Sequence, residues 1–298
     1  MKSKSEKTEQ ILQNFTKLHG KFEHGHLPHY LSLGAGVQSS TLALMYATGE
    51  LSPMPEAAIF ADTQAEPQSV YDYLDWLESV VPFPVHRVTK GSLTEASLTQ
   101  KVTKDGRKYS QANIPFWTKN VDGTLGKIPH RSCTADYKIK PIHKKLRELV
   151  PVKRGEKNVV CVSIIGISLD EMRRMKPSRD AWNVHRWPLI EKRLRRQQCV
   201  EWMISKGYPK PPRSACVYCP YHDSKSWRQL QLEEPEEFAR AVQFEKDIQA
   251  AKENSDNIKA QVFLHRSCKP LDSIDFRSDV ERGQQTFWDD ECEGMCGV

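Results

Sequence analysis

The chain has 298 residues, enough for one large domain or for one domain with an appendage. Its mean hydropathy of −0.62 and 28% charged residues exclude a chain built mainly of membrane spans, while 38% apolar and 9% aromatic residues suffice for a packed core. A net charge of +6, with an isoelectric point near 8.8, favours anionic partners, nucleic acid among them.

Residues 1–26 read as a polar, helix-compatible arm. HYLSL (29–33) reads as a short buried strand, followed by a turn of small residues and a helix over 39–48. AAIFAD (57–62) is a second buried strand. Pro67 suits the first turn of a helix that carries Val70, Leu74, Leu77 and Val81 at helical spacing. PVHRVT (84–89) gives a third strand, and NVVCVSIIGIS (158–168) is the most strand-like stretch of all. This alternation predicts an α/β fold: a doubly wound, Rossmann-like parallel sheet with helices on both faces and a ligand at the carboxyl edge of the strands. Residues 91–130, with IPFWT, read as a long excursion or lid over the site, or else as a surface insertion. The expected organisation is an arm (1–26), a nucleotide-binding domain (27–198) and a Cys-containing, mainly helical C-terminal region (199–298) packed on it.

No apolar run is long enough to cross a bilayer. The N-terminal segment is charged and lacks the apolar centre of a signal peptide. The sequence therefore reads as cytoplasmic, with no membrane partner. Eight cysteines in that compartment favour metal or redox roles over structural disulfides.

The turn LGAGVQSS presents backbone N–H groups and the positive end of a helix to an anion. Gly34 and Gly36 permit close approach, and Ser32, Ser39, Ser40 and Thr41 offer hydroxyl donors. No Gly-Lys-Ser/Thr follows, which excludes the P-loop of kinases and motors. Gly34-x-Gly36-x-x-Ser39 nearly matches a dinucleotide fingerprint with Asp62 placed for a ribose, although Ser stands at the third position. A turn with no ligand is the third reading. Lys138, Lys140, His143, Lys144 and Lys145 form either a solvated helix face or an anion funnel, and Arg193, Arg195 and Arg196 pose the same choice. Cys216-Val-Tyr-Cys219 can grip one metal or cluster, with Cys199 shortly before it; Cys161, inside an apolar strand, reads as core.

Five ordered segments carry a family resemblance. SLGAGVQSS resembles the SGGxDS pyrophosphate loop (PP-loop) of the ATP pyrophosphatase and phosphoadenosine phosphosulfate (PAPS) reductase superfamily, with Gln38 where Asp is usual. FADTQAEPQSVYDYL is similar to the segment that brings Asp62, Thr63 and Glu66 to the nucleotide. CTADYKIKPI (133–142) resembles the CCxxRKxxPL segment of sulfonucleotide reductases, keeping Cys133 and a basic Lys138. GISLDEMRR (166–174) is similar to the Gly-Ile-Arg…Glu…Arg stretch, and WPLIEKRLRRQQCVEWMISKGYP to the segment that packs back across the site.

The resemblance, over roughly residues 29–245, implies ATP and Mg²⁺ as ligands. Ser32, Gly34, Gly36, Gln38, Ser39 and Ser40 would hold the phosphates, with Gly166 beside them. Asp62, Thr63, Glu66, Asp170 and Glu171 would hold ribose, adenine or metal, and Arg173 and Arg174 would meet developing charge. Cys133, Cys199, Cys216 and Cys219 would bind a [4Fe–4S] cluster or, alternatively, zinc. The implied activity is that of an ATP pyrophosphatase that adenylylates an acceptor for sulfur insertion. The acceptor would be a DNA phosphate, as in the pyrophosphatase component of DNA phosphorothioation systems, or a tRNA base, with a cysteine desulfurase as possible donor. A sulfonucleotide reductase and a non-catalytic nucleotide-binding scaffold are the alternatives. The reductases end near Glu-Cys-Gly-Leu/Ile-His; here Cys292 and Cys296 flank Glu-Gly-Met without a His, and they could handle sulfur, pair with Cys268 or do neither.

Overall fold

The computed structural model describes residues 24–110, 113–127, 132–253, 255 and 259–277. β1 (His29–Leu33), α1 (Val37–Ala47), β2 (Ala57–Asp62), α2 (Gln68–Val80) and β3 (Val85–Thr89) follow as two strand–helix–strand units. Next come α3 (Leu93–Leu98) and four short strands, β4 (Gln100–Val102), β5 (Lys108–Ser110), β6 (Trp117–Lys119) and β7 (Leu125–Lys127). A π-helical stretch, Cys133–Ile139, runs into α4 (Lys140–Leu149) and returns the chain to β8 (Cys161–Ile165). After a 3₁₀ segment, Leu169–Arg174, come β9 (Asn183–Arg186), α5 (Pro188–Glu191), α6 (Arg196–Ser205), α7 (Ser224–Glu233), α8 (Pro235–Glu253) and β10 (Gln261–Phe263).

The main sheet has the order β3-β2-β1-β8-β9, and every pair in it is parallel. Alternation along the strands divides the side chains between two faces. Leu31, Leu33, Ala58, Phe60 and Ile164 face a core shared with Leu42 of α1, Leu74 and Leu77 of α2 and Met203 of α6. Tyr30, Ile59 and Cys161 face the other way, against Leu146 of α4, Val150 and Trp182. The sheet is thus doubly wound, as the sequence predicts. The helix expected over 39–48 starts two residues earlier, with extended Gly36 as its N-cap. The chain moves outward from β1 through β2 to β3, then returns to the far side of β1 for β8 and β9. That reversal opens a crevice between the carboxyl ends of β1 and β8, where open α/β sheets bind ligands.

A second core lies beyond the sheet. It joins Leu93, Ile114 and Phe116 to Val217, Tyr218, Trp227, Phe244 and Val262. β6 is the middle strand of a small antiparallel sheet, flanked by β7 and β10, with Thr118 opposite Val262. Leu93, Ile114, Phe116 and strand β6 therefore do not form a free lid; they pack or pair with the C-terminal region. α6 packs in the first core, and Leu93, Ile114 and Phe116 pack in the second.

Candidate functional site at the carboxyl edge of the sheet

The turn after β1 sits at the reversal point. Ala35 adopts a left-handed conformation (φ 54°), which costs a non-glycine residue about 1–2 kcal/mol and is commonly retained where function demands it. Ser39 Oγ accepts a hydrogen bond from Gly34 N (3.1 Å) and donates to Gly36 O (3.3 Å), locking the turn onto the helix start. No side chain caps α1, so the first amides of the helix face outward without intrahelical partners. Gly166, at the end of β8, touches this turn: a Cβ there would lie 2.9 Å from Ser39 N and 3.0 Å from Ser39 Cα. Only glycine lets β8 approach so closely.

These amides open on a cleft of about 570 Å³, within the range of small-molecule sites. Gly36, Val37 and Gln38 form one wall; Glu171 and Arg174 lie beside them, and Lys210, Arg213, Asp223 and Lys225 stand opposite. Gln38 Nε2 donates to Glu171 Oε2 (3.1 Å), which also accepts from Arg174 Nη1 (2.7 Å). Gln38 therefore ties α1 to the segment after β8. Ser214 donates its hydroxyl to Gly34 O, holding the extended Lys210–Ala215 segment over the turn. Arg213 bonds Ser226 at the start of α7.

Several expected site residues have protein partners of their own or lie outside the cleft lining. Ser32 lies on the sheet face covered by α4, one residue before the strand ends. Ser40 is fully buried with its hydroxyl directed to Tyr73, so it faces the core and not the cleft. Asp170 accepts a hydrogen bond from Arg196 N (3.1 Å) and thereby caps α6. Arg173 is exposed and does not line the cleft. The basic side chains of the π-helical stretch and α4 are mostly neutralised: Lys138 pairs with Glu66, Lys140 with Asp136, His143 with Asp180 and Lys145 with Glu148. They are not an open funnel for phosphates.

At the end of β2, Asp62 Oδ1 accepts from Tyr71 Oη (2.8 Å) and Gln64 N (2.7 Å). Burial, reinforced by the bond to Asp62, holds the Tyr71 phenol above its ordinary range. Thr63 and Glu66 lie almost wholly buried beneath the CxxC turn. Cys216 Sγ lies 3.4 Å from Thr63 Oγ1 and 4.0 Å from Glu66 Oε1, which pairs with Lys138 Nζ at 3.3 Å. Glu66 Oε2 is buried with no hydrogen-bond partner among the described residues. Burial first, then the Glu66 carboxylate, push the Cys216 thiol up to about 12, and the nearby Cys133 acts in the same direction. Cys216 is consequently a neutral thiol at ordinary pH.

The four-thiolate centre is not assembled. Cys199 sits on α6, fully buried in the first core, and burial pushes its thiol up to about 11 despite a hydrogen bond with Thr41. Cys133 and Cys216 belong to the second core. Among the described residues no three His, Cys, Asp or Glu side chains gather to hold a metal ion. A [4Fe–4S] cluster or zinc on Cys133, Cys199, Cys216 and Cys219 therefore does not fit these residues. Cys161 is core, as expected, with its thiol pushed up to about 12 by burial. Cys268 is buried with Sγ 3.4 Å from Thr118 O, while Cys292 and Cys296 lie outside the described residues.

Lys210, Arg213, Ser214 and Lys225 are cleft residues that the sequence reading did not identify. The signal available for them is Lys210-Pro-Pro-Arg213-Ser214, in which two prolines enforce an extended run just before the CxxC. No helix among the described residues is long and apolar enough to cross a membrane.

No family model matches the chain, and no curated protein does. Among solved structures, the chain is similar to the phosphoadenylyl-sulfate (PAPS) reductase from Candida auris in its phosphate complex. That likeness has 13% identity and a TM-score of 0.40, covering 71% of this chain and 91% of the reductase.

Proposed function

We propose that the chain is an adenine-nucleotide enzyme that cleaves ATP between the α and β phosphates, transferring AMP to a nucleic acid acceptor for sulfur insertion. The observation that carries this reading is the Gly34–Gly36 turn, set at the reversal point of the sheet with its helix amides opening on a basic cleft. The resemblance of the turn to a pyrophosphate loop specifies which bond breaks. An acceptor oxygen attacks the α phosphorus and pyrophosphate leaves. A sulfur nucleophile, delivered by a donor such as a cysteine desulfurase, then displaces AMP. The amides at the start of α1 orient the phosphates, and Lys210, Arg213 and Lys225 stabilise the charge that develops on the leaving pyrophosphate. Lys210 and Lys225 carry no ion pair among the described residues, so their charge is available for this role.

The test is AMP and pyrophosphate release from α-labelled ATP by the purified full chain, with and without duplex DNA or tRNA. Lys210→Ala with Lys225→Ala is expected to lower turnover about tenfold or more, as loss of charge-assisted contacts does. Sulfite release from adenylyl sulfate and a thiol, with no pyrophosphate from ATP, would replace this reading by a sulfonucleotide reductase. ATP binding with neither product would leave a nucleotide-binding scaffold.

A further inference from the structure

A second basic cavity lies at the opposite edge of the sheet. It measures about 510 Å³ and is lined by Arg147, Lys153, Arg154, Arg179 and Trp182, with the acids Glu156 and Asp180. Residues 150–160 lead into β8 and residues 175–182 into β9, so both walls belong to the amino ends of parallel strands. The nucleotide turn follows the carboxyl end of β1. A five-residue strand at about 3.3 Å per residue puts roughly 16 Å of sheet between the two sites.

The charges of this cavity are unevenly matched. Asp180 is engaged by His143 (2.9 Å) and Arg147 (3.6 Å). Glu156 turns back on its own backbone, its Oε1 accepting from Lys157 N (3.1 Å) and Asn158 N (3.0 Å). Lys153 and Arg154 project from a reverse turn closed by Glu156 N to Lys153 O (3.1 Å), with Gly155 at φ 79°. Arg179 enters from the other wall. Neither these two nor Arg179 has an ion pair or side-chain hydrogen bond among the described residues. Beneath them Trp182 is only 4% exposed, its indole Nε1 has no hydrogen-bond partner among the described residues, and Arg147 stacks over the ring at 5.5 Å. The cavity thus joins three unneutralised cations, two of them guanidinium forks, to a rigid floor.

We infer that this cavity seats the phosphodiester backbone of a nucleic acid strand. Guanidinium forks match phosphate oxygens two at a time, and three cations on two walls span more than one phosphate. The ring face of Trp182 is covered by Arg147, so the site grips backbone and does not stack bases. The inference goes beyond the ATP chemistry and does not need it: a strand held here lies about five base-pair steps, at 3.4 Å each, from the nucleotide cleft.

The experiment is fluorescence polarisation of the full chain with a labelled 20-nucleotide single strand, the matching duplex and a tRNA, across a salt series. Lys153→Gln, Arg154→Gln and Arg179→Gln combined are expected to weaken binding at least tenfold at about 0.1 M salt. The slope of log affinity against log salt should fall by about 2 to 3. A control with the same loss of charge elsewhere (Lys101→Gln, Lys104→Gln and Lys259→Gln) should change affinity less than threefold. ATP binding, read separately, should be the same in all three proteins, which separates failure here from failure of the ATP reading. Equal loss in the control, an unchanged slope in the cavity variant, or no binding of any of the three probes by the wild type would overturn the inference. Competition by poly-glutamate that depends on the same three residues would overturn it too, in favour of an acidic protein.

Discussion

The two cores of this molecule hold together by different means. The first closes around β1, β2 and β8, the middle strands of the parallel sheet, whose apolar side chains divide between helices on its two faces. The second closes around three-residue strands, β6, β7 and β10, and relies on buried polar side chains to bind its loops. Glu245 of α8, 3% exposed, accepts from Leu264 N (2.8 Å) and Leu271 N (2.6 Å); Lys252 lies 2% exposed over the Phe116 ring; His222 is 8% exposed against Trp227. Long strands satisfy their own backbone, whereas short ones leave N–H groups that side chains must meet. The first core should therefore respond to steric changes and the second to charge.

The largest effect is expected at Gly166. Any Cβ there meets backbone atoms of Ser39 that cannot rotate away. Gly166→Val should cost about 3 kcal/mol by overpacking and abolish ATP binding measured by calorimetry. Unaltered affinity in a folded Gly166→Val protein would remove the turn from the site.

Glu245→Ala comes next. It strands two buried backbone donors and should cost about 2–3 kcal/mol in urea unfolding, with nucleotide binding at the first core retained in the folded protein. Loss of nucleotide binding at full stability would mean that the two cores are less separate than their packing shows.

Lys252 sharpens the comparison because its sign is opposite. Burial lowers its ammonium from 10.5 to about 8, and its Nζ has no hydrogen-bond partner among the described residues. Between pH 8 and 10.5 the unfolded chain holds a proton that the folded chain lacks. Stability therefore rises with pH across that window, and the cost is present in full below it. Lys252→Met should stabilise the protein by on the order of 2 kcal/mol at pH 7, and the gain should vanish above about pH 10.5. A gain independent of pH would trace it to packing.

The first core was legible because its signals are local. Val70, Leu74 and Leu77 repeat at helical spacing, and AAIFAD and CVSII are continuous apolar runs between polar turns. Strand β9, with the sequence NVHR, escaped notice because it has four residues and one strongly apolar side chain. The second core could not be read in the same way: the pairing of Thr118 with Val262 joins distant segments, and three-residue strands carry no period. At the site, the turn was legible in its small residues, while Gly166 entered only through the resemblance of GISLDEMRR to a family segment. The roles of Ser40 and Asp170 did not, since a hydroxyl or carboxylate reads alike whether it faces a ligand, a tyrosine or a helix terminus.

The smallest effect is expected where the sequence was most suggestive. Cys199 precedes the CxxC closely in the chain, which made it a natural partner for Cys216 and Cys219. Spacing along a chain does not fix which core a side chain enters, and α6 turns Cys199 toward α1, where it meets Thr41. Cys199→Ala removes one small buried group and should cost about 1 kcal/mol, leaving metal content and any absorbance near 400 nm as in the wild type. Cys216→Ala lies in the other core, between Thr63 and Glu66, and relieves the carboxylate of a buried neighbour. Neither substitution should change the metal content or the absorbance of the anaerobically purified protein. Bleaching by Cys199→Ala would require α6 to leave the first core, and so would overturn the packing that separates the two.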